Sequence, residues 1–209
     1  MLTAQMLLSG YARGIFPMAA SAEDDDLHWF EPDPRGILPL GPVHASRSLR
    51  RDLRLGGWSA RHATDFDAVV RRCADRDTTW INQPLRVLYR ELHQSGHAHA
   101  LEVFKHGRLA GGIFGVVLGS AYFGESMFST QTSGSRMALL WMDSHLRRSG
   151  FQLFDTQYLT QHLASMGGIE IPRQIYRRRL AQALSVNPDI HAAALPDAQA
   201  LSQEITQTS

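Results

Sequence analysis

The sequence predicts an α+β protein centred on a mostly antiparallel sheet, and three observations carry that prediction. Leu101 to Phe104 and Leu109 to Leu118 are apolar runs joined by a His106-Gly107 turn, which reads as a hairpin. Gly119-Ser120 breaks the second run with turn chemistry, and Ala121, Tyr122 and Phe123 resume it as a third strand. An apolar helix from Arg136 to about Arg148 then leads past Gly150 into a strand at Phe151 to Phe154. This strand–strand–strand–helix–strand unit, residues 97–185, is expected to follow a small N-terminal α/β domain, residues 1–96. Residues 186–209 are rich in Ala and Gln and read as a weakly patterned, loosely held tail.

The N-terminal elements follow from local signals. Thr3 caps a short helix with Met6, Leu7 and Tyr11 on one face, ending near Gly14. Pro17 forces Phe16 out of the helical region. Beyond the acidic loop Glu23 to Asp26, Trp29 and Phe30 are expected in the core, and Ile37 and Leu38 in a short strand. Ser46 caps a second helix on which Arg47, Arg50, Arg51 and Arg54 recur at i, i+3, i+4 and i+7, so the four share one face. Like charges stacked this way repel by a few tenths of a kcal/mol per pair. A polyanionic backbone relieves that repulsion, so the stripe is a candidate nucleic-acid surface, set against the plainer reading of a solvated face.

Trp58 to His62 reads as a strand, and Asp65 to Asp75 as a helix with Phe66, Val69, Val70 and Cys73 inward. Cys73 on that face is a small core residue rather than a nucleophile. Trp80 stands where a loop meets a helix from Pro84 to about Gln94, closed by Gly96. His97 and His99 lack a third ligand at metal-binding spacing, so no metal site is expected. Gly111, Gly112, Gly115 and Gly124 are too many for ordinary strands and imply close approach to the backbone. Glu125, a lone carboxylate beyond Gly124, is either the strand's exit to solvent or a site residue. Asp155, Thr156 and Gln157 fall at a strand's C-terminal end, where open sheets commonly place ligands. Strand alternation puts Asp155 and Gln157 on one face, unless a turn intervenes at Thr156. Helices follow around Leu159, Leu163 and Met166, and from near Arg173.

At 209 residues the chain suffices for one sizeable core. Of its 21 basic residues all but Lys105 are arginine, the side chain suited to bidentate contacts with phosphate or carboxylate. Cys73 is the one cysteine, which excludes an intrachain disulfide and fits a cytoplasmic home. The N-terminus lacks a signal-peptide pattern and no apolar run approaches spanning length, so no membrane partner is expected.

Together the motifs G-I-F-P, W-F-x-P-D-P-R-G-I-L, H-x-S-R-S-L-R-R, T-W-I, G-H-A-H-x-x-E-V, G-G-x-x-G-V, F-G-E-S-M-F-S and D-T-Q resemble the leucyl/phenylalanyl-tRNA–protein transferases, in order from about Tyr11 to Arg173. The resemblance implies an N-acetyltransferase-like (GNAT-like) second domain and no metal or organic cofactor. It implies transfer of leucine or phenylalanine, with methionine as a further candidate, from aminoacyl-tRNA to proteins beginning with Arg or Lys, in the N-end rule pathway. It makes Asp155 and Gln157 the catalytic pair and Glu125 an active-site carboxylate. It places Ile113, Phe123, Met127 and Met142 around the transferred side chain, Trp80 and Met18 at the aminoacyl-adenosine end, and Arg47, Arg50, Arg51 and Arg54 on the tRNA. Members often carry an N-terminal segment that this sequence does not show, a tryptophan where Met18 stands, and a lysine where Arg136 stands.

Two other readings compete. An acetyl-CoA-dependent N-acetyltransferase wants a Q/R-x-x-G-x-G/A loop at a helix N-terminus. Gln131 and Gly134 fit that pattern, but Arg136 replaces its last small residue with one that crowds a phosphate. A non-enzymatic tRNA-binding module would use the basic helix and leave Asp155 and Gln157 idle.

Overall fold

Local signals set most of the elements seen in the computed structural model, which describes residues 2–41 and 44–206. Thr3 Oγ1 accepts from Met6 N and opens α1 (Ala4–Ala12). The short strands β1 (Phe16–Met18) and β2 (His28–Phe30) pair with each other, and β3 (Arg35–Leu38) follows. Ser46, Asp65 and Asn82 cap α2 (Arg47–Arg54), α3 (Phe66–Ala74) and α4 (Gln83–Gln94), with β4 (Trp58–His62) between the first two. Next come β5 (Ala98–Lys105), β6 (Arg108–Leu118), β7 (Ala121–Ser129), α5 (Gly134–Arg148) and β8 (Leu153–Gln157). The chain continues through α6 (Gln161–Ser165), β9 (Ile169–Ile171), α7 (Arg173–Leu184) and α8 (Ala198–Thr206).

Seven strands form one sheet in the order β4-β5-β6-β7-β8-β3-β9. Every neighbouring pair is antiparallel except β7 and β8, which run parallel. A parallel pair needs a crossover, and α5 supplies it. The expected α+β class and mostly antiparallel sheet are therefore present. Alternation along the strands feeds two cores. Ala98, Ala100, Phe114, Val116, Ala121 and Phe123 face α1, α3, α4 and α7. Leu101, Val103, Ile113, Val117 and Tyr122 face α2, α5 and α8. Burial on both faces explains why these strands read as continuous apolar runs.

The close approaches implied by the glycines are made by the protein itself. A Cβ on Gly134 would lie 1.8 Å from the Ala110 carbonyl oxygen, so α5 starts against β6 only because that residue has no side chain. On Gly124 it would meet the Phe154 ring at 2.7 Å.

Other expectations differ. Met6 is 53% exposed, and Leu7, Leu8 and Tyr11 form the inner face of α1. Trp29 is 41% exposed, and its ring packs against Gly10, where a Cβ would lie 2.2 Å from it. The sheet is continuous across Gly96, since β4 pairs with β5 and β3 lies between β8 and β9. The segment after residue 185 is anchored. Leu201 and Ile205 of α8 are buried, Trp141 Nε1 donates to Pro196 O, and Glu204 accepts from Ser144, Arg147 and Arg148.

Candidate active site

The site forms where the parallel strands part. Their pairing runs from Ala121↔Leu153 to Phe123↔Asp155 and stops there. Both strands are irregular just beyond. On β7, Gly124 pairs with Gly115 and Ser126 with Phe114, so Glu125 is an extra residue in the ladder. On β8, Asp155 pairs with Ile37 and Gln157 with Gly36, so Thr156 is the extra residue. Such bulges re-aim side chains, which suits a site. The expected alternation through Asp155 and Gln157 therefore does not hold. Gln157 also adopts φ +65°, a left-handed conformation that costs a non-glycine residue on the order of 1 kcal/mol.

Glu125 is a hub rather than a strand exit to solvent, being only 8% exposed. Its Oε1 accepts from Tyr11 Oη at 2.7 Å and from Gln157 Nε2 at 2.9 Å, and its Oε2 accepts from Tyr89 Oη at 2.6 Å. Burial pushes its carboxyl up to about 7, against the pull of the two tyrosine hydrogen bonds. The same burial, with the Glu125 charge beside them, raises both phenols well above their ordinary value, so they remain donors.

Asp155 lies in a deeper layer. It is fully buried and paired with Arg35, itself 1% exposed, through Nε to Oδ1 at 2.9 Å and Nη2 to Oδ2 at 2.6 Å. Tyr176 Oη donates to Oδ2 at 2.7 Å, and Gln157 N donates to Oδ1 at 2.8 Å. Arg35 Nη1 reaches Gly14 O, and the guanidinium packs between the rings of Phe16 and Tyr176. Burial opposes the charge on Arg35, but Asp155 holds the guanidinium above its ordinary value. Thus Asp155 fixes the backbone of Gln157 while Glu125 fixes its side chain. Arg35, Tyr11, Tyr89 and Tyr176 had no expected role. The signal for them is burial: an arginine in an apolar strand, and phenols on inward helical faces, each require a partner.

A cavity of about 420 Å³ opens beside the pair. Glu125, Gln157, Ile113, Met127, Trp80 and Met18 line it, joined by Leu139, Phe154 and Leu163, which the sequence did not single out. Asp155, Phe123 and Met142 do not. The bulge at Glu125 changes the phase of β7, leaving Phe123 in the α1 core, 4.8 Å from the Tyr11 ring, and Met127 on the α5 side. Met142 is buried one helical turn beyond Leu139. Two buried polar atoms of cavity-lining residues, Thr156 Oγ1 and His162 Nε2, have no hydrogen-bond partner among the described residues. Burial, with Arg136 nearby, lowers the His162 imidazole and favours its neutral form.

Arg47, Arg51 and Arg54 are exposed on α2, and Arg50 is half-buried with Nε donating to Ala45 O at 2.8 Å. None of the four lines the cavity. Asp52, on the same helix, pairs with Lys105 at 2.7 Å. Cys73 is fully buried and burial pushes its thiol up to about 12, as befits a core residue. No helix among the described residues is long and apolar enough to cross a membrane.

The family profile described as leucyl/phenylalanyl-tRNA protein transferase matches residues 37–181, and the profile of that family's N-terminal domain matches residues 1–33. A leucyl/phenylalanyl-tRNA–protein transferase from Paracoccus denitrificans is 59% identical over 208 residues, spanning 100% of this chain and 98% of the relative. One from Ruegeria pomeroyi is 51% identical over 208 residues, spanning 100% and 99%. Among solved structures, a C-terminal domain (DUF2156) from Agrobacterium fabrum matches with a TM-score of 0.40 at 10% identity, over 86% of this chain and 62% of that one. A Salmonella typhimurium acetyl transferase gives 0.31 at 15% identity, over 55% and 70%.

Proposed function

Because the chain belongs to the leucyl/phenylalanyl-tRNA–protein transferase family, we propose that it moves leucine, phenylalanine or methionine from tRNA to the α-amine of proteins beginning with Arg or Lys. The reaction belongs to cytoplasmic degradation by the N-end rule. The observation that carries the site assignment is the Glu125–Gln157 hydrogen bond at 2.9 Å beside an apolar cavity.

An aminoacyl ester is already activated. The amine nitrogen forms a bond to the carbonyl carbon, the bond to the ribose oxygen breaks, and one proton passes from nitrogen to that oxygen. The protein therefore has to orient the amine and manage one proton. Gln157 donates through Nε2 to Glu125, which leaves its own amide oxygen to accept from the incoming amine. The transferred side chain packs among Ile113, Met127, Leu139, Phe154 and Leu163, while Trp80 and Met18 hold the adenosine end. Asp155 and Arg35 are positioning residues that act through the backbone of Gln157. Ionised Glu125 keeps Nε2 as its donor. Once protonated, Glu125 donates to the amide oxygen instead and removes the acceptor that the amine needs.

On α2, exposed Arg47, Arg51 and Arg54 meet the tRNA backbone, and Arg50 braces the start of the helix. Gly134 serves α5 packing, which accounts for the partial likeness to an acetyl-CoA loop. The test mixes the purified protein with Leu-tRNA, acetyl-CoA and a peptide beginning with arginine. Leucine at the peptide's N-terminus is the expected product. Acetylated peptide alone, or tRNA binding without any product, would refute the assignment.

A further inference from the structure

Next to the apolar cavity lies a second, polar cleft of about 370 Å³, lined in part by Arg72, Asp75, Arg76, Ser129, Thr130 and Ser135. The two spaces share Arg76 and Met127 as walls. Arg76 Nη2 donates to Ser126 Oγ at 3.1 Å and to Met127 O at 2.9 Å, which lays the side chain along β7. Its Nε and Nη1 donors have no partner among the described residues. Arg72 lies over the Phe128 ring at 5.9 Å.

These two guanidiniums differ from their neighbours. Arg71, Arg86 and Arg90 converge on Asp67. Among the described residues neither Arg72 nor Arg76 has an ion pair, and Asp75 bonds to neither. Two cations thus face one carboxylate. Ser129 adds a donor: its Oγ accepts from Ser135 N at 2.7 Å, which leaves its own proton for another acceptor, whereas Thr130 Oγ1 already donates to Leu109 O at 2.6 Å. The first turn of α5 adds the positive end of a 15-residue helix. A group with one negative charge and two acceptor oxygens suits this set, and guanidinium pairs favour phosphate.

We infer that this cleft seats the phosphodiester on the 5′ side of the terminal adenosine of the aminoacyl-tRNA. The inference rests on the reading of the neighbouring cavity as the seat of the aminoacyl-adenosine. One ribose ring separates the 3′ ester from the 5′ phosphate, so a phosphate seat in the adjoining compartment suits that placement. Arg76, as the shared wall, then touches both the nucleoside and the phosphate.

The test compares two minimal donors, leucyl-adenosine with a free 5′ hydroxyl and the leucyl dinucleotide that carries the phosphodiester. With the wild-type protein the dinucleotide should show a KM lower by about tenfold, a gap that high salt narrows. Arg76→Ala and Arg72→Ala should each close most of that gap and flatten the salt dependence, by roughly 0.7 unit of slope per lost contact to a single strand. Arg71→Ala, on the same turn but paired with Asp67, should leave the gap intact. The inference is overturned if wild type shows no gap, if both variants keep it, or if they weaken the two donors equally. Failure of wild type to transfer leucine even from Leu-tRNA would instead overturn the proposed function. Transfer from Leu-tRNA without a gap overturns the phosphate seat alone.

Discussion

Two buried carboxylates sit on neighbouring parallel strands, and their surroundings differ. Asp155 is met by the fixed cation of Arg35 and closed off from the cavity. Glu125 is met only by neutral donors, two phenols and an amide, and it lines the cavity. The first arrangement is an anchor and the second is a titratable site. What separates them is the partner supplied from distant chain: β3 delivers a guanidinium to one strand, and α1 and α4 deliver tyrosines to the other.

Breaking the anchor should have the largest effect. Asp155→Ala leaves Arg35 buried without its partner and should cost about 3–5 kcal/mol of stability, as should Arg35→Ala. The double variant should lose far less than the sum of the two singles, which denaturant titration reads directly. Equal and additive losses would mean that the pair does not act as a unit.

The titratable carboxylate gives a pH signature instead. Its folded pKa of about 7 is raised above the ordinary 4.5, so its contribution is fully present below the lower value. That contribution is lost as pH rises through about 7. Glu125→Gln should therefore gain on wild type between pH 5 and pH 8, by up to about 3 kcal/mol. Transfer by wild type should rise through the same range, and transfer by Glu125→Gln should be low and flat. A gap in stability that does not change with pH would remove Glu125 as the titrating group.

The cavity wall sharpens the comparison at a smaller scale. Met127→Ala should cost leucine transfer about 1–3 kcal/mol in kcat/KM and alter the ratio of Leu to Phe transfer, whereas Phe123→Leu, behind Tyr11, should leave that ratio unchanged. Smallest is the outer stripe. Arg51→Ala with Arg54→Ala should weaken every charged tRNA alike and lower the salt slope by roughly one unit per lost phosphate contact. An unchanged slope would take α2 out of the interface.

Much of this was legible in the chain because its signals are local. Thr3 and Ser46 mark helix starts, and the runs on either side of His106-Gly107 and Gly119-Ser120 read as hairpins with no other information. The placement of β3 and β4 was not legible. They lie on opposite flanks of the sheet, and nothing in four or five residues names a partner more than a hundred positions away, as β3 finds in β8. The two bulges were hidden for a related reason, since an extra residue exists only relative to the strand beside it. Hence Glu125 and Gln157 could be singled out as residues while their direct contact could not. The Arg35–Asp155 pair, 120 positions apart, shows the same limit. Leu201 and Ile205 in α8 carried an apolar signal too sparse to distinguish a docked helix from a tail.

In the proposed reaction the Gln157 amide orients the attacking amine, with its side chain held by Glu125 and its backbone by Asp155. Single-turnover transfer from Leu-tRNA to an arginine-starting peptide by Gln157→Ala, with the melting temperature taken on the same sample, tests it most directly. Transfer should fall by about a hundredfold or more, a loss of roughly 2.7 kcal/mol in the barrier, with the melting temperature within a few degrees of wild type. Near-normal transfer by a folded Gln157→Ala protein would contradict it.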